Sequence, residues 1–256
     1  MTKLPRCRSE ASGRLAFATI EWSICGMAMS DPEQAKSLYQ RGRTFWHPFP
    51  VVMLVAVLLS LAIDVPIAGY AKEGKHPRWL AELLENIETF GHGIGATLIV
   101  IGVLVLDVPR RRSVLPLLAG SLGAGLTANL LKLAVIRYRP RGLAAFPETV
   151  WATFGGWWSG SKGNDLQSFP SAHSATAVGL AMMLSAYYPR GRWYFTVLAI
   201  LVGMQRIQVS AHYPSDVFAG AIVGWCVASA CLLASGPGSS EELDAPSTTA
   251  TEPASL

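Results

Sequence analysis

Charge is scarce in this sequence: Asp, Glu, Lys and Arg make up 15% of its 256 residues, against 51% that are hydrophobic. Water-soluble domains carry about 25% charged residues, so this balance excludes an ordinary soluble globule and points to a membrane. Cysteine is limited to four residues, Cys7, Cys25, Cys226 and Cys231, and no pair of them has the spacing of a zinc site or a disulfide framework. Basic runs interleaved with stacking aromatics are also missing, which sets nucleic acid aside despite a net charge of +4. No internal repeat is evident.

What the chain has instead is long apolar segments. Residues 49–70, 89–108, 114–135, 169–188, 193–209 and 216–234 each approach the length needed to cross about 30 Å of hydrocarbon, which predicts six transmembrane helices in an all-α bundle. Basic residues sort by loop. Lys3, Arg6, Arg8, Arg14, Lys36, Arg41 and Arg43 precede the first segment, Arg110, Arg111 and Arg112 follow the second, and Arg190 and Arg192 follow the fourth. These regions should be cytoplasmic, with both termini inside and, in a bacterium, the inner membrane as the host bilayer.

Residues 1–48 form a cytoplasmic arm in this reading, 49–235 the membrane domain and 236–256 a disordered tail rich in Ser, Pro, Thr and Glu. Residues 15–29 are apolar after a basic start, but Glu21 interrupts them and they are too short to span, so a cleaved signal peptide is not expected. After Pro77, residues Trp79, Leu80, Leu83, Leu84, Ile87 and Phe90 share one helical face and Glu82, Glu85 and Glu88 another, as in an interfacial helix or an extension of the second span.

Three patterns lie near the ends of the apolar segments. They are Lys132 with Arg139 and Pro140, then Pro170-Ser171-Ala172-His173, then Arg206 with His212 and Asp216. Each alone has a plain structural alternative: Lys132 can snorkel to the interface, Ser171 can be a mere N-cap, and Asp216 can cap a helix beside a surface histidine. The topology, argued from other loops, brings all three to the extracytoplasmic side. Together they supply three cations, two histidines and a carboxylate, the inventory for holding a phosphate and passing it through a phosphohistidine without metal or other cofactor.

If the helix ran on past Lys132, Arg139 would lie on nearly the same face about 10 Å away. Arg206 interrupts an apolar run, where a charge costs a few kcal/mol unless paired or hydrated, and its guanidinium can grip two phosphate oxygens. Ser171 can cap a helix whose first N–H groups cradle an anion, with His173 beside it to donate a proton. Asp216, four residues after His212, can fix the imidazole tautomer that leaves one nitrogen free to attack phosphorus.

The lysine with arginine-proline seven residues on, the proline-serine-X-histidine, and the arginine, histidine and aspartate at six- and four-residue steps resemble the type 2 phosphatidic acid phosphatase superfamily. The resemblance spans Lys132 to Asp216. It implies an all-helical fold and metal-free hydrolysis of a lipid phosphate or diphosphate in the bilayer; the motifs address only the phosphate, so undecaprenyl diphosphate leads in a bacterium with phosphatidic acid, phosphatidylglycerol phosphate and lipid A phosphates open beside it. By position it implies phosphate binding by Lys132, Arg139, Ser171, the backbone at Ala172 and Arg206, with His212 as nucleophile, Asp216 supporting it and His173 as general acid. A phosphotransferase using the same site, or a non-catalytic binder of lipid phosphates, is the alternative.

Two positions depart from the family pattern: Ala172 where glycine is usual, and Gln205 where serine is usual. Alanine at 172 would be strained if that position required positive φ. His92, between Gly91 and Gly93, can approach the same pocket or simply end a helix. Trp151, Phe154, Trp157 and Trp158 in the long outer loop suit an interfacial belt or a lid over the substrate.

Overall fold

The computed structural model describes residues 46–74, 76–158 and 163–234. The expected N-terminal arm, apart from its last three residues, and the C-terminal tail lie outside the described residues, as do Cys7 and Cys25.

Among the described residues eight α-helices carry the fold: α1 (Phe49–Ser60), α2 (Asp64–Lys72), α3 (Arg78–Ile87), α4 (Gly93–Leu106), α5 (Val114–Leu131), α6 (Ala172–Tyr187), α7 (Arg192–Gln208) and α8 (Pro214–Ala234). α6 is the centre. Every residue from Ser174 to Ala186 is buried, against α5, α7 and α8, because its Ala, Gly and Ser side chains let neighbouring backbones come close on all sides. A Cβ on Gly179 would sit 2.4 Å from the Gly120 carbonyl oxygen, and one on Gly220 would sit 2.3 Å from that of Ser171, so α5 and α8 are in backbone contact with the α6 segment.

The outside of the bundle is apolar. Leu106, Leu115, Ile94 and Leu59 are exposed, as are Val197, Ile200 and Met204 along α7, while Asp64, Arg137, His212 and Asp216 are buried. An exterior of this kind belongs in hydrocarbon, and the chain is an integral membrane protein. By length and composition α5 and α8 can each cross a bilayer. Two bent pairs can also do so if each is one span, α1 with α2 at 75° and the α3 segment with α4 at 66°. The remaining expected spans are α6, 16 residues long, and α7, 17 residues long, both under one full crossing of about 20.

The loop after α5 departs from the all-α expectation. β1 (Val135–Arg137) and β2 (Phe154–Trp157) pair antiparallel, with Val135 opposite Trp157, Ile136 opposite Gly156 and Arg137 opposite Phe154. The helix therefore does not continue from Lys132 to Arg139. Val135 and Ile136 are β-branched, and Pro140 drives Arg139 into extended backbone at φ −73°, ψ 144°. The strand pair packs over one end of the bundle.

The amphipathic segment after Pro77 is α3, with Trp79 and Leu83 exposed and Leu84 buried. At Glu88 the helix tightens into a 3₁₀ turn through Gly91, and His92 then caps α4, its Nδ1 accepting from the Ile94 N–H at 3.3 Å. Glu88, where the turn begins, is half-buried and points its carboxylate to Arg206 and His173, whereas Glu82 and Glu85 stay exposed.

Candidate active site

Four helix ends meet under the strand pair: the C-termini of α5 and α7 and the N-termini of α6 and α8. Lys132 follows the last residue of α5 and is buried. Arg139 is anchored through its backbone, its N–H donating to the Asp165 carbonyl at 2.8 Å, and its Nη2 donates to the Gln167 carbonyl at 3.3 Å. Its Nε is buried without a partner. Arg206, in the last turn of α7, is buried too. These three cations and both histidines are close enough to act electrostatically on one another.

Ser171 caps α6. Its Oγ accepts from the Ser174 N–H at 3.3 Å and from the Ser174 hydroxyl at 2.9 Å, and its own N–H donates to the Asp216 carbonyl at 3.0 Å. Ala172 opens α6 in helical backbone and is not among the positive-φ residues, so alanine stands there without strain. His173 is the next residue, half-buried at the mouth.

The turn from α7 to α8 is made by Ser210, in left-handed backbone at φ 53°, after which the N–H groups of Ala211 and His212 both donate to the Arg206 carbonyl, at 3.1 and 3.2 Å. His212 is thereby locked to the arginine. Its Nδ1 lies 2.7 Å from the Ser168 carbonyl oxygen and 3.7 Å from Asp216 Oδ2, so the carbonyl, not the carboxylate, holds the ring. Asp216 acts one step removed: it accepts the Ser168 hydroxyl at 2.6 Å and the Tyr213 N–H at 2.9 Å. Burial pushes the His212 pKa down to about 4, with Asp216 pulling it back up. A carbonyl accepts only a proton, so Nδ1 carries the hydrogen and Nε2 keeps its lone pair.

Three residues of the site were not read from the sequence. Arg137 is completely buried and bridges two carboxylates, Asp216 on α8 by a short Nη1 contact and Asp64 on α2 at 2.6 Å. It also donates to Ser215 Oγ at 2.7 Å and Thr153 Oγ1 at 3.1 Å, and lies over the rings of Tyr213 and Phe154 at 4.1 and 4.5 Å. Asp64 in turn accepts the Ser215 N–H at 3.0 Å. Glu88 is the third: Oε1 lies 2.7 Å from Arg206 Nη2 and 3.3 Å from His173 Nε2, and Oε2 accepts from Gln205 Nε2 at 3.1 Å. Asp64 interrupts an apolar run, the signal that had singled out Arg206, and Arg137 closes one.

His92 reaches the site's edge, its ring centroid 5.7 Å from that of His173. Below both, a cleft of about 630 Å³ runs between α4, α5 and the start of α6, walled by Ile94, Leu98, Leu122 and Leu126. Trp151, Trp157 and Trp158 are exposed on the loop above and do not enter it. Among the described residues no three His, Cys, Asp or Glu side chains are grouped to hold a metal.

A helical bundle with an apolar exterior and a cluster of buried cations and histidines at one end defines a membrane protein that handles an anion. Residues 113–237 match the model of the PAP2 superfamily. The chain is 34% identical over 198 residues to a lipid A 1-phosphatase of Rhizobium johnstonii, covering 70% of this chain and 76% of that protein. Its fold matches the crystal structure of a transmembrane PAP2 type phosphatidylglycerolphosphate phosphatase from Bacillus subtilis, at TM-score 0.51 and 20% identity over 72% of this chain and 94% of that one. It also matches Aquifex aeolicus LpxE, at TM-score 0.50 and 21% identity over 67% and 95%. The chain belongs to the PAP2 superfamily, the type 2 phosphatidic acid phosphatases.

Proposed function

We propose that this protein hydrolyses a lipid phosphate at the extracytoplasmic surface of a bacterial inner membrane, through a phosphohistidine on His212 and without a metal. The observation that carries this reading is the buried His212 ring, held through Nδ1 by the Ser168 carbonyl at 2.7 Å and near enough to Lys132 and Arg139 to feel both charges. Nε2 attacks phosphorus in line. The three cations, the Ser171 hydroxyl and the first N–H groups of α6, including that of Ala172, take up the charge that spreads over the phosphoryl oxygens. His173 protonates the departing lipid oxygen, and a water that gives its proton back to His173 then opens the phosphohistidine.

The catalytic unit in this reading is residues 49–235, with six crossings, α6 and α7 completing the set. The cleft beside His92 and His173 takes the first part of the lipid chain, so that phosphate enters from the bilayer with the acyl chain still among Ile94, Leu98 and Leu126. Lipid A 1-phosphate heads the substrate panel, on the strength of the Rhizobium relative. Undecaprenyl diphosphate, phosphatidylglycerol phosphate and phosphatidic acid complete it.

The test is phosphate release from that panel by purified protein in detergent with chelator present, alongside His212→Ala. Turnover by the wild type, with the variant folded and reduced by 10⁴-fold or more, is expected from loss of a nucleophile, on the order seen when one is removed. Equal activity in His212→Ala, or full inhibition by the chelator, overturns the scheme.

A further inference from the structure

Glu88 stands where a phosphate-binding site has least use for a negative charge, between Arg206 and the general acid. We propose that it is a positioning residue for that acid: its carboxylate holds His173 through Nε2, favouring the protonated ring before the lipid departs and fixing the tautomer that accepts the water's proton afterwards. This rests on the phosphatase reading above.

The surroundings of His173 make such a partner necessary. Lys132 faces it from the end of α5, Arg206 from α7, His212 from the turn before α8 and His92 from the start of α4. Every one of these, when charged, opposes a second positive charge on the ring. The carboxylate within 4 Å is that of Glu88, its Oε1 3.3 Å from Nε2, a buried nitrogen that makes no hydrogen bond until the ring turns onto that oxygen. An adjacent carboxylate favours the imidazolium, and with Nε2 facing Glu88 it is Nδ1 that serves the substrate.

Glu88 is itself aimed. Gln205 donates to its Oε2 at 3.1 Å while accepting Arg206 Nε at 2.5 Å, a double reach that the family's usual serine is too short to make. The 3₁₀ turn brings the segment against α6 so closely that a Cβ on Gly91 would lie 2.8 Å from the His173 carbonyl oxygen. The departure at Gln205 and the carboxylate at Glu88 are therefore one device.

The proton balance follows. As the bond from His212 Nε2 to phosphorus forms and the bond to the lipid oxygen breaks, the Nδ1 proton of His173 passes to that oxygen. The ring is left neutral with Nε2–H toward Glu88. Water oxygen then bonds to phosphorus, the nitrogen–phosphorus bond breaks, and the water's proton returns to Nδ1.

The experiment compares kcat/KM of wild type, Glu88→Gln and Gln205→Ser in detergent on two probes. One is phosphatidic acid or lipid A, whichever the wild type hydrolyses, whose leaving oxygen needs a proton. The other is p-nitrophenyl phosphate, whose phenolate leaves unaided. Glu88→Gln should lower the lipid value on the order of ten- to a hundredfold and move its alkaline limb down by about one pH unit, with p-nitrophenyl phosphate changed less than about threefold. Gln205→Ser should shift both readouts the same way by less, and serves if Glu88→Gln fails to fold. Equal losses on both probes, an unmoved limb, or tighter vanadate inhibition with higher activity would overturn the proposal, the last because Glu88 would then merely compete for Arg206. A wild type inactive on every lipid and on p-nitrophenyl phosphate overturns the phosphatase reading and this inference with it. An active wild type with a variant blind to the leaving group overturns this inference alone.

Discussion

A histidine that attacks phosphorus must be neutral, and burial is what keeps His212 so. Its ring is about 1% exposed, and desolvation holds the folded pKa near 4 against an ordinary 6.5, with Asp216 opposing the drop. Between those values the unfolded chain binds a proton that the folded one refuses. The group's contribution to stability is therefore complete above pH 6.5 and declines as pH falls toward 4. In the proposed scheme the same sign governs catalysis: His212 keeps the lone pair it needs for attack down to about pH 4. We expect the acid limb of kcat/KM assigned to His212 to lie well under 6.5, and Asp216→Asn, which removes the charge that raises the pKa, to move it further down. Substrate ionisation is common to both proteins and cancels in the comparison. A limb that moves upward in Asp216→Asn contradicts this account of the site.

At the scale of elements, the site is held by a tie between helices distant in sequence. Arg137 on β1 joins Asp64, at the bend that starts α2, to Asp216 on α8, 73 and 79 residues away. Side chains of all three are fully buried, so removing the arginine leaves two carboxylates facing each other out of water. Arg137→Met should cost about 3 kcal/mol or more, read as a lower unfolding midpoint in detergent. Asp64→Asn in the same chain should recover part of that loss, a non-additivity that independent sites would not show. Such ties also explain what was legible beforehand. Lys132, Arg139, Ser171, His173, Arg206 and His212 sit at short spacings beside helix ends, and the fold brings all of them to one place. Glu88 escaped because its partners lie on α6 and α7, Gln205 being 117 residues on. Its periodicity with Glu82 and Glu85 pointed to a solvated face, whereas its carboxylate is drawn in by Arg206 at 2.7 Å. The strand pair escaped because three and four residues in a Gly- and Trp-rich loop carry no alternation to read.

For the whole molecule the question is which way the bundle faces, and the distribution of cations gives the expectation to be tested. At the site end the arginines and lysines are largely consumed: Lys132, Arg137 and Arg206 are buried, Arg78 pairs with Glu82 at 2.9 Å, and Arg141 lies 3.4 Å from Asp165. At the other end Arg190 is exposed after α6, and Arg110 and Arg111 stand between α4 and α5, joined in sequence by the seven basic residues that precede α1. Basic loops resist translocation whether or not single arginines are paired, as Arg110 is with Asp107 at 2.6 Å, so that end should stay in the cytoplasm and the site should open outward. The central position of α6 requires the same of every motif at once, since α5, α7 and α8 all end at the level where α6 begins or ends. A cysteine at Trp157, which is exposed on β2, should react with a membrane-impermeant maleimide in intact cells, in a background with the native cysteines replaced. One at Arg190 should react only after the cells are opened. The reverse pattern would place phosphate release in the cytoplasm and would require a lipid phosphate of the inner leaflet as substrate.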